Sequence, residues 1–286
     1  MSGAGGSLWF ETPTGPVRVE GAAPLITALR AQAPDWPAAE SGPADAPAIE
    51  VEPAGEGRFR FRAELYDTGD LIFPPGLVGG NGLIGALIHS FCVRSPDWIC
   101  LHAGAVEIGG RLTVLVGDMM AGKSTLSVAL AALGRRLFTD DRLPVGRTAA
   151  GFEGFALALR PKLRDPLPAD APAAFRRFAG EREGPRESGM RYVVLHPDER
   201  APFGTRLPLE RLVLLSRRDD AGAPAFRPVN LGETVKRLVP TAFAAQLPPV
   251  ARLARLRELA ESVDRAELVY ADSFQAAELL DREART

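Results

Sequence analysis

The chain is poor in cysteine. Cys92 and Cys100 are its only two in 286 residues. Two are too few for a disulfide framework or a cysteine-built zinc site, and both read as buried apolar filler. A charge imbalance is missing as well, with 34 Lys and Arg against 36 Asp and Glu. That balance leaves no whole-chain electrostatic footprint for nucleic acid or an acidic membrane surface. No apolar run approaches the length of a membrane span. The opening "MSGAGGSLWF" lacks the charged-then-apolar order of a signal peptide, so the expectation is a cytoplasmic protein. Lysine is scarce too: Lys123, Lys162 and Lys236 are the only lysines. A composition so biased toward arginine discounts arginine clusters and makes a lysine inside a motif more telling.

Residues 1–80 read as a β-rich region. "SLWFETPTGPVRVEG" alternates apolar and polar residues around the turn signal Pro13-Thr14-Gly15. "AIEVEPAGEGRFRFRAEL" does the same around Gly55-Glu56-Gly57, which predicts a hairpin. A short helix is expected over Ala23–Ala33, and "PDWPAAESGPADAP" reads as an exposed loop. Residues 81–286 read as a second domain. "NGLIGALIHSFCVRS" has helical spacing at Leu83, Leu87 and Phe91, with His89 taken as structural. "WICLHAGAVEIGGRLTVLVG" reads as two strands joined at Gly109-Gly110. A helix is expected over Ser124–Leu133, buried at Leu126, Leu130 and Leu133 and stopped by Gly134. "RRLFTDD" is the next strand, and Leu209–Leu215 an apolar one. "LARLRELAESVDRAELVYADSFQAAELLDREA" reads as helical segments with charged, solvated faces.

One motif carries chemistry. "GDMMAGKST" fits G-x-x-x-x-G-K-[ST] from Gly117 to Ser124, between a strand and a helix. Glycines let the backbone turn sharply and approach a phosphate. Successive N–H groups then form an anion-binding nest, and the helix adds the positive end of its dipole. The expected nucleotide-binding residues are Gly117, Asp118, Met119, Met120, Ala121, Gly122, Lys123, Ser124 and Thr125. Lys123 supplies a cation for the terminal phosphates, and Ser124 offers its hydroxyl to Mg²⁺. A right-handed crossover makes the strands on either side of the helix parallel. Taken as neighbours, they would lie about 5 Å apart, which brings Asp140 and Asp141 to the loop. One carboxylate can then hold Mg²⁺ while the other takes a proton from an attacking hydroxyl. Without the loop nearby, the plain reading of Asp-Asp is a turn cap ion-paired to Arg142.

From Leu101 to Asp141, "LHAGAVEIGGRLTVLVGDMMAGKSTLSVALAALGRRLFTDD" resembles the catalytic core of HPr kinase/phosphorylase and its serine-kinase relatives. The resemblance implies an α/β P-loop kinase core of the type shared with phosphoenolpyruvate carboxykinase. It implies Lys123 and Ser124 as phosphate and metal residues and Asp140 as the carboxylate that activates the hydroxyl. Asp141 matches the metal-associated neighbour, and His102 an auxiliary catalytic histidine. ATP and Mg²⁺ are the implied cofactors. The sequence departs from the family after the aspartates, where "GFEGFALALRPKLRDPLP" replaces a glycine- and arginine-containing signature. There Arg160, Lys162 and Arg164 either supply charge to a phosphate or an acidic substrate, or line a solvated strand. Asp118, Met119 and Met120 are unusual for the family, and Asp118 is unfavourable beside a triphosphate unless it points outward. The first 80 residues differ from the N-terminal domain of the HPr enzyme, so HPr itself is not the expected acceptor.

The leading expectation is an ATP-dependent kinase that phosphorylates a hydroxyl, serine on a peptide or protein, without nucleic-acid or membrane partners. A homo-oligomer stays open. The alternatives are a small-molecule kinase on the same site and a nucleotide-binding regulatory module without transfer activity.

Overall fold

A computed structural model of the chain describes residues 7–64, 66–67 and 71–283. Residues 1–6 of the stretch read for a signal peptide, and Leu65 at the end of the second hairpin, lie outside the described residues. The protein is mixed α/β and divides into two compact units. One is Met1–Cys100 with Ala244–Gln246, and the other Leu101–Phe243 with Leu247–Thr286. Among the described residues, no helix is long and apolar enough to cross a membrane.

The first unit carries both expected hairpins. Leu8–Phe10 pairs antiparallel with Val17–Glu20, and Ala48–Pro53 with Phe59–Ala63. Val17–Glu20 and Ala48–Pro53 run parallel and join the two hairpins into one sheet. Helix Leu77–Cys92 begins four residues before the expected start and packs on helix Ala23–Gln32. Gly80 permits this: a Cβ there would sit 2.7 Å from the Ala28 carbonyl carbon. Gln32 Nε2 then donates to the Leu77 carbonyl at 2.8 Å. The sequence boundary at residue 80 cuts through this helix, which buries its apolar face within the first unit. Cys92 and Cys100 are buried free thiols, and burial raises the Cys92 thiol well above its ordinary value.

The second unit is built on the strand Arg111–Val116. On one side it pairs antiparallel with Gly104–Ile108 through the Gly109-Gly110 turn. On the other it pairs parallel with the long strand Arg206–Arg217. Asp264–Tyr270 adds parallel to that long strand, and Gly151–Phe155 antiparallel to its first residues. The sequence reading missed Asp264–Tyr270 inside a segment taken as helical. Its apolar run "LVY" is short and flanked by charges, and its register against Val213–Arg217 buries it.

The strand Arg136–Thr139 corrects a second expectation. It points the same way as Arg111–Val116 but is not its neighbour, because Gly104–Ile108 lies between and pairs antiparallel with both. The aspartates therefore end a strand two spacings away, about 10 Å across the sheet.

Helix Lys123–Ala132 crosses one face of this sheet beside helix Ser273–Glu283. Leu126 and Leu130 are fully buried, as expected, but Leu133 is 38 % exposed. The helix ends one residue before Leu133, so the apolar period does not carry it inward. The end is a Schellman closure: Gly134 N donates to Ala131 O at 2.9 Å and Arg135 N to Leu130 O at 2.9 Å. Arg135 then ion-pairs Asp281 of the neighbouring helix at 2.6 Å. Leu130→Ala should cost about 2–5 kcal/mol, read as a lower midpoint in urea unfolding.

Candidate functional site

The loop after Arg111–Val116 turns at two glycines with different jobs. Gly117 lies against the sheet, where an added Cβ would come within 2.9 Å of Ala121 Cβ and 3.1 Å of Leu215 Cβ. Gly122 has φ +92°, a conformation L side chains rarely adopt, and starts the helix at Lys123. Met120 also has positive φ (73°), so the backbone turns unusually within the loop. The loop is tied down from the missed strand: the Tyr270 hydroxyl donates to the Ala121 carbonyl. Tyr270 is fully buried, and burial raises its hydroxyl to about 12, so it stays protonated as that donor. The sequence does carry a signal for this anchor, because Asp272 follows as a helix cap, accepting from Phe274 N at 2.6 Å.

Lys123 folds back over the loop. Its Nζ donates to the carbonyls of Gly117 at 2.8 Å and Asp118 at 3.1 Å. Burial lowers its ammonium from the ordinary value, opposed by the charges of Asp141, Asp118 and Asp140. Asp118 is exposed, and Met119 and Met120 are 81 % and 60 % exposed.

The two aspartates are adjacent in sequence and unlike in surroundings. The Thr139 side chain forms their turn, accepting from Asp141 N at 3.4 Å and Arg142 N at 3.3 Å. Asp140 is 2 % exposed. Its Oδ2 accepts the backbone N–H of Lys162 at 3.0 Å, and the Ser124 hydroxyl bonds to its carboxylate. Burial and the neighbouring Asp141 charge raise Asp140 to about 6, against the pull of Lys162 and Ser124. Asp141 faces three basic side chains: His102 Nε2 at 2.9 Å, Lys162 Nζ at 2.9 Å and Arg142 Nε at 3.8 Å. Burial pushes Asp141 up, but His102, Lys162 and Arg142 together hold it well below the usual carboxylate range. Two carboxylates held apart in this way are the usual mark of distinct acid–base assignments.

Lys123, Ser124, Asp140, Asp141 and His102 therefore converge, although the aspartates do not end a neighbouring strand. The link is Lys162, one of three cations with two open readings in the sequence. It bonds both carboxylates, one through its backbone and one through its side chain. Arg142, read alternatively as the ion-pair partner of a turn cap, contributes the longest of the three contacts to Asp141.

No protein-family model and no curated protein sequence matches the chain. Among solved structures it is similar to the Hpr(Ser) kinase/phosphatase from Coxiella burnetii. That match has 15 % sequence identity and a TM-score of 0.35, and covers 65 % of this chain and 95 % of the other.

A cleft of about 310 Å³ opens beside the loop, lined by Lys123, Ser124, Thr125, His102 and Lys162 among others. A second, wider cleft of about 840 Å³ shares Met119, Met120 and Arg217 with it and is lined by Asp118. Among the described residues, no cluster of three or more His, Cys, Asp and Glu could hold a metal by itself. The Ser124 hydroxyl and the Asp141 carboxylate are hard oxygen donors of the kind that hold Mg²⁺ together with substrate phosphates and water.

The raised Asp140 makes a stability prediction. The folded state binds its proton more tightly than the unfolded chain, so this group's contribution falls as pH rises from about 4 to 6. Asp140→Asn should therefore stabilise the fold by about 1–3 kcal/mol at pH 7 and by much less at pH 4, measured by denaturant titration at both.

Proposed function

We propose that the protein is an ATP-dependent kinase that transfers the γ-phosphate to a hydroxyl, most directly a serine of a peptide or protein. The observation that carries this reading is the pairing of a buried carboxylate raised to about 6 with the lysine and serine of a Gly-x-x-x-x-Gly-Lys-Ser loop. A general base works best with a pKa near the operating pH, and Asp140 meets that condition while Asp141 does not.

In this reading the loop N–H groups and Lys123 hold the β- and γ-phosphates. The Ser124 hydroxyl and the Asp141 carboxylate would hold Mg²⁺ together with the nucleotide, and the cation would offset charge on the phosphates. Lys123 would exchange its two carbonyl contacts for phosphate oxygens. Ser124, turned toward the cation, would leave Asp140 free for the incoming hydroxyl. The hydroxyl oxygen forms the new bond to γ-phosphorus as the bond to the β,γ-bridging oxygen breaks. The hydroxyl proton passes to Asp140, and ADP leaves. His102 and Lys162 act through Asp141: they keep it ionised, so that the proton taken from the hydroxyl goes to Asp140.

The test is phosphate transfer from Mg-ATP to serine peptides, followed by mass spectrometry. Asp140→Asn should lower kcat by about 10²–10⁴-fold with nucleotide affinity retained, and Lys123→Ala should lose nucleotide affinity. The kcat of the wild type should fall as pH drops through about 6, where Asp140 takes up its proton. Transfer that survives Asp140→Asn would overturn the base assignment. ATP binding with no transfer to any acceptor would point instead to a nucleotide-binding regulatory module.

A further inference from the structure

The smaller cleft has a one-sided chemistry. Lys123, Lys162, Arg164 and Arg217 line it, and no Asp or Glu does. The wider cleft differs, with Asp118, Asp219, Glu233 and Glu267 among its walls. Most cations near the aspartates already have carboxylates: Lys162 and Arg142 on Asp141, and Arg186 and Arg191 on Asp165. Arg164 is exposed and makes no ion pair among the described residues. In a chain this rich in ion pairs, an arginine without a carboxylate at the cleft wall is a cation available to a ligand.

Its place on the backbone says what sort of ligand. Arg164 ends the strand Lys162–Arg164, which pairs antiparallel with Met190–Val193 and is an edge strand of its sheet. Side chains two apart on a strand share a face and lie about 7 Å from each other. The Lys162 side chain, on the same face, reaches Asp141 at 2.9 Å, and its backbone N–H holds Asp140. Arg164 therefore stands one two-residue step from the carboxylate pair. An extended peptide laid beside this strand keeps that same step, because both chains have the same rise per residue. Leu167, Phe175 and Met190 give the cleft an apolar part, together with the exposed Met119 and Met120. Flexible methionines at a rim suit apolar side chains of varied shape.

We infer that this cleft takes the acceptor as an extended, acidic peptide segment, with a carboxylate two residues from the phosphorylated hydroxyl bound by Arg164 and a neighbouring apolar side chain against Leu167, Phe175 and Met190. The inference rests on the kinase reading above and adds the substrate class.

The experiment uses the full chain, Mg-ATP and serine peptides in a neutral background, with one Asp scanned through the four residues on each side. The acid placed two residues from the serine should raise kcat/KM about tenfold over the neutral peptide, the size of one charge-assisted hydrogen bond. Arg164→Ala should abolish that preference and leave the KM for ATP within about twofold. Arg164→Glu should shift the preference to a basic residue at the same position. Equal transfer to acidic and neutral peptides, or an Arg164→Ala effect seen in the KM for ATP, would overturn the inference and leave the kinase reading standing. Bound ATP with no transfer to any peptide would overturn both.

Discussion

Asp140 and Asp141 are covalent neighbours, so their charges cannot move apart. Whatever is done at this site depends on making their surroundings unequal. The structure does so from three directions. Thr139 shapes a tight turn that sends the two side chains to different partners. Asp140 goes inward to a backbone N–H and the Ser124 hydroxyl. Asp141 goes to His102, Lys162 and Arg142. One carboxylate is left costly to ionise and the other costly to protonate. Fold elements far apart in sequence meet for this purpose: the start of Gly104–Ile108, the helix at Lys123 and the strand at Lys162.

The glycine-framed loop depends on a similar convergence. Gly117 lies against Leu215 of the long strand, and the Tyr270 hydroxyl fixes Ala121. Both contacts come from strands that run parallel to Arg111–Val116, so their ends arrive at the same edge of the sheet. That edge is where an open parallel sheet presents its loops to ligands. The helix Lys123–Ala132 is itself held by Leu126, Leu130 and the Arg135–Asp281 pair, which fixes where the loop ends.

Much of this was legible in the sequence because the relevant signals are local. The loop, its lysine, the Gly109-Gly110 turn, the Gly134 helix stop and the strand ending in two aspartates each follow from a few consecutive residues. What was not legible depends on pairing. Nothing in "RRLFTDD" says that Gly104–Ile108 lies between it and the loop strand, so the condition that the two are neighbours is not met. Nothing in "PKLR" distinguishes a solvated strand from one whose backbone and side chain clasp two carboxylates. The strand Asp264–Tyr270 was hidden because its apolar core is short and bounded by charged residues that also suit a helix. Helix Leu77–Cys92 fell across the expected domain boundary because its partner, Ala23–Gln32, is remote in sequence.

The central claim is the electrostatic division of Asp140 and Asp141. Its most direct measurement is a carboxyl ¹³C NMR titration of the wild type, with Asp140→Asn and Asp141→Asn to assign the resonances. The account predicts that Asp140 titrates near pH 6 while Asp141 stays ionised well below the usual carboxylate range. Two aspartates titrating together within the ordinary range would contradict it.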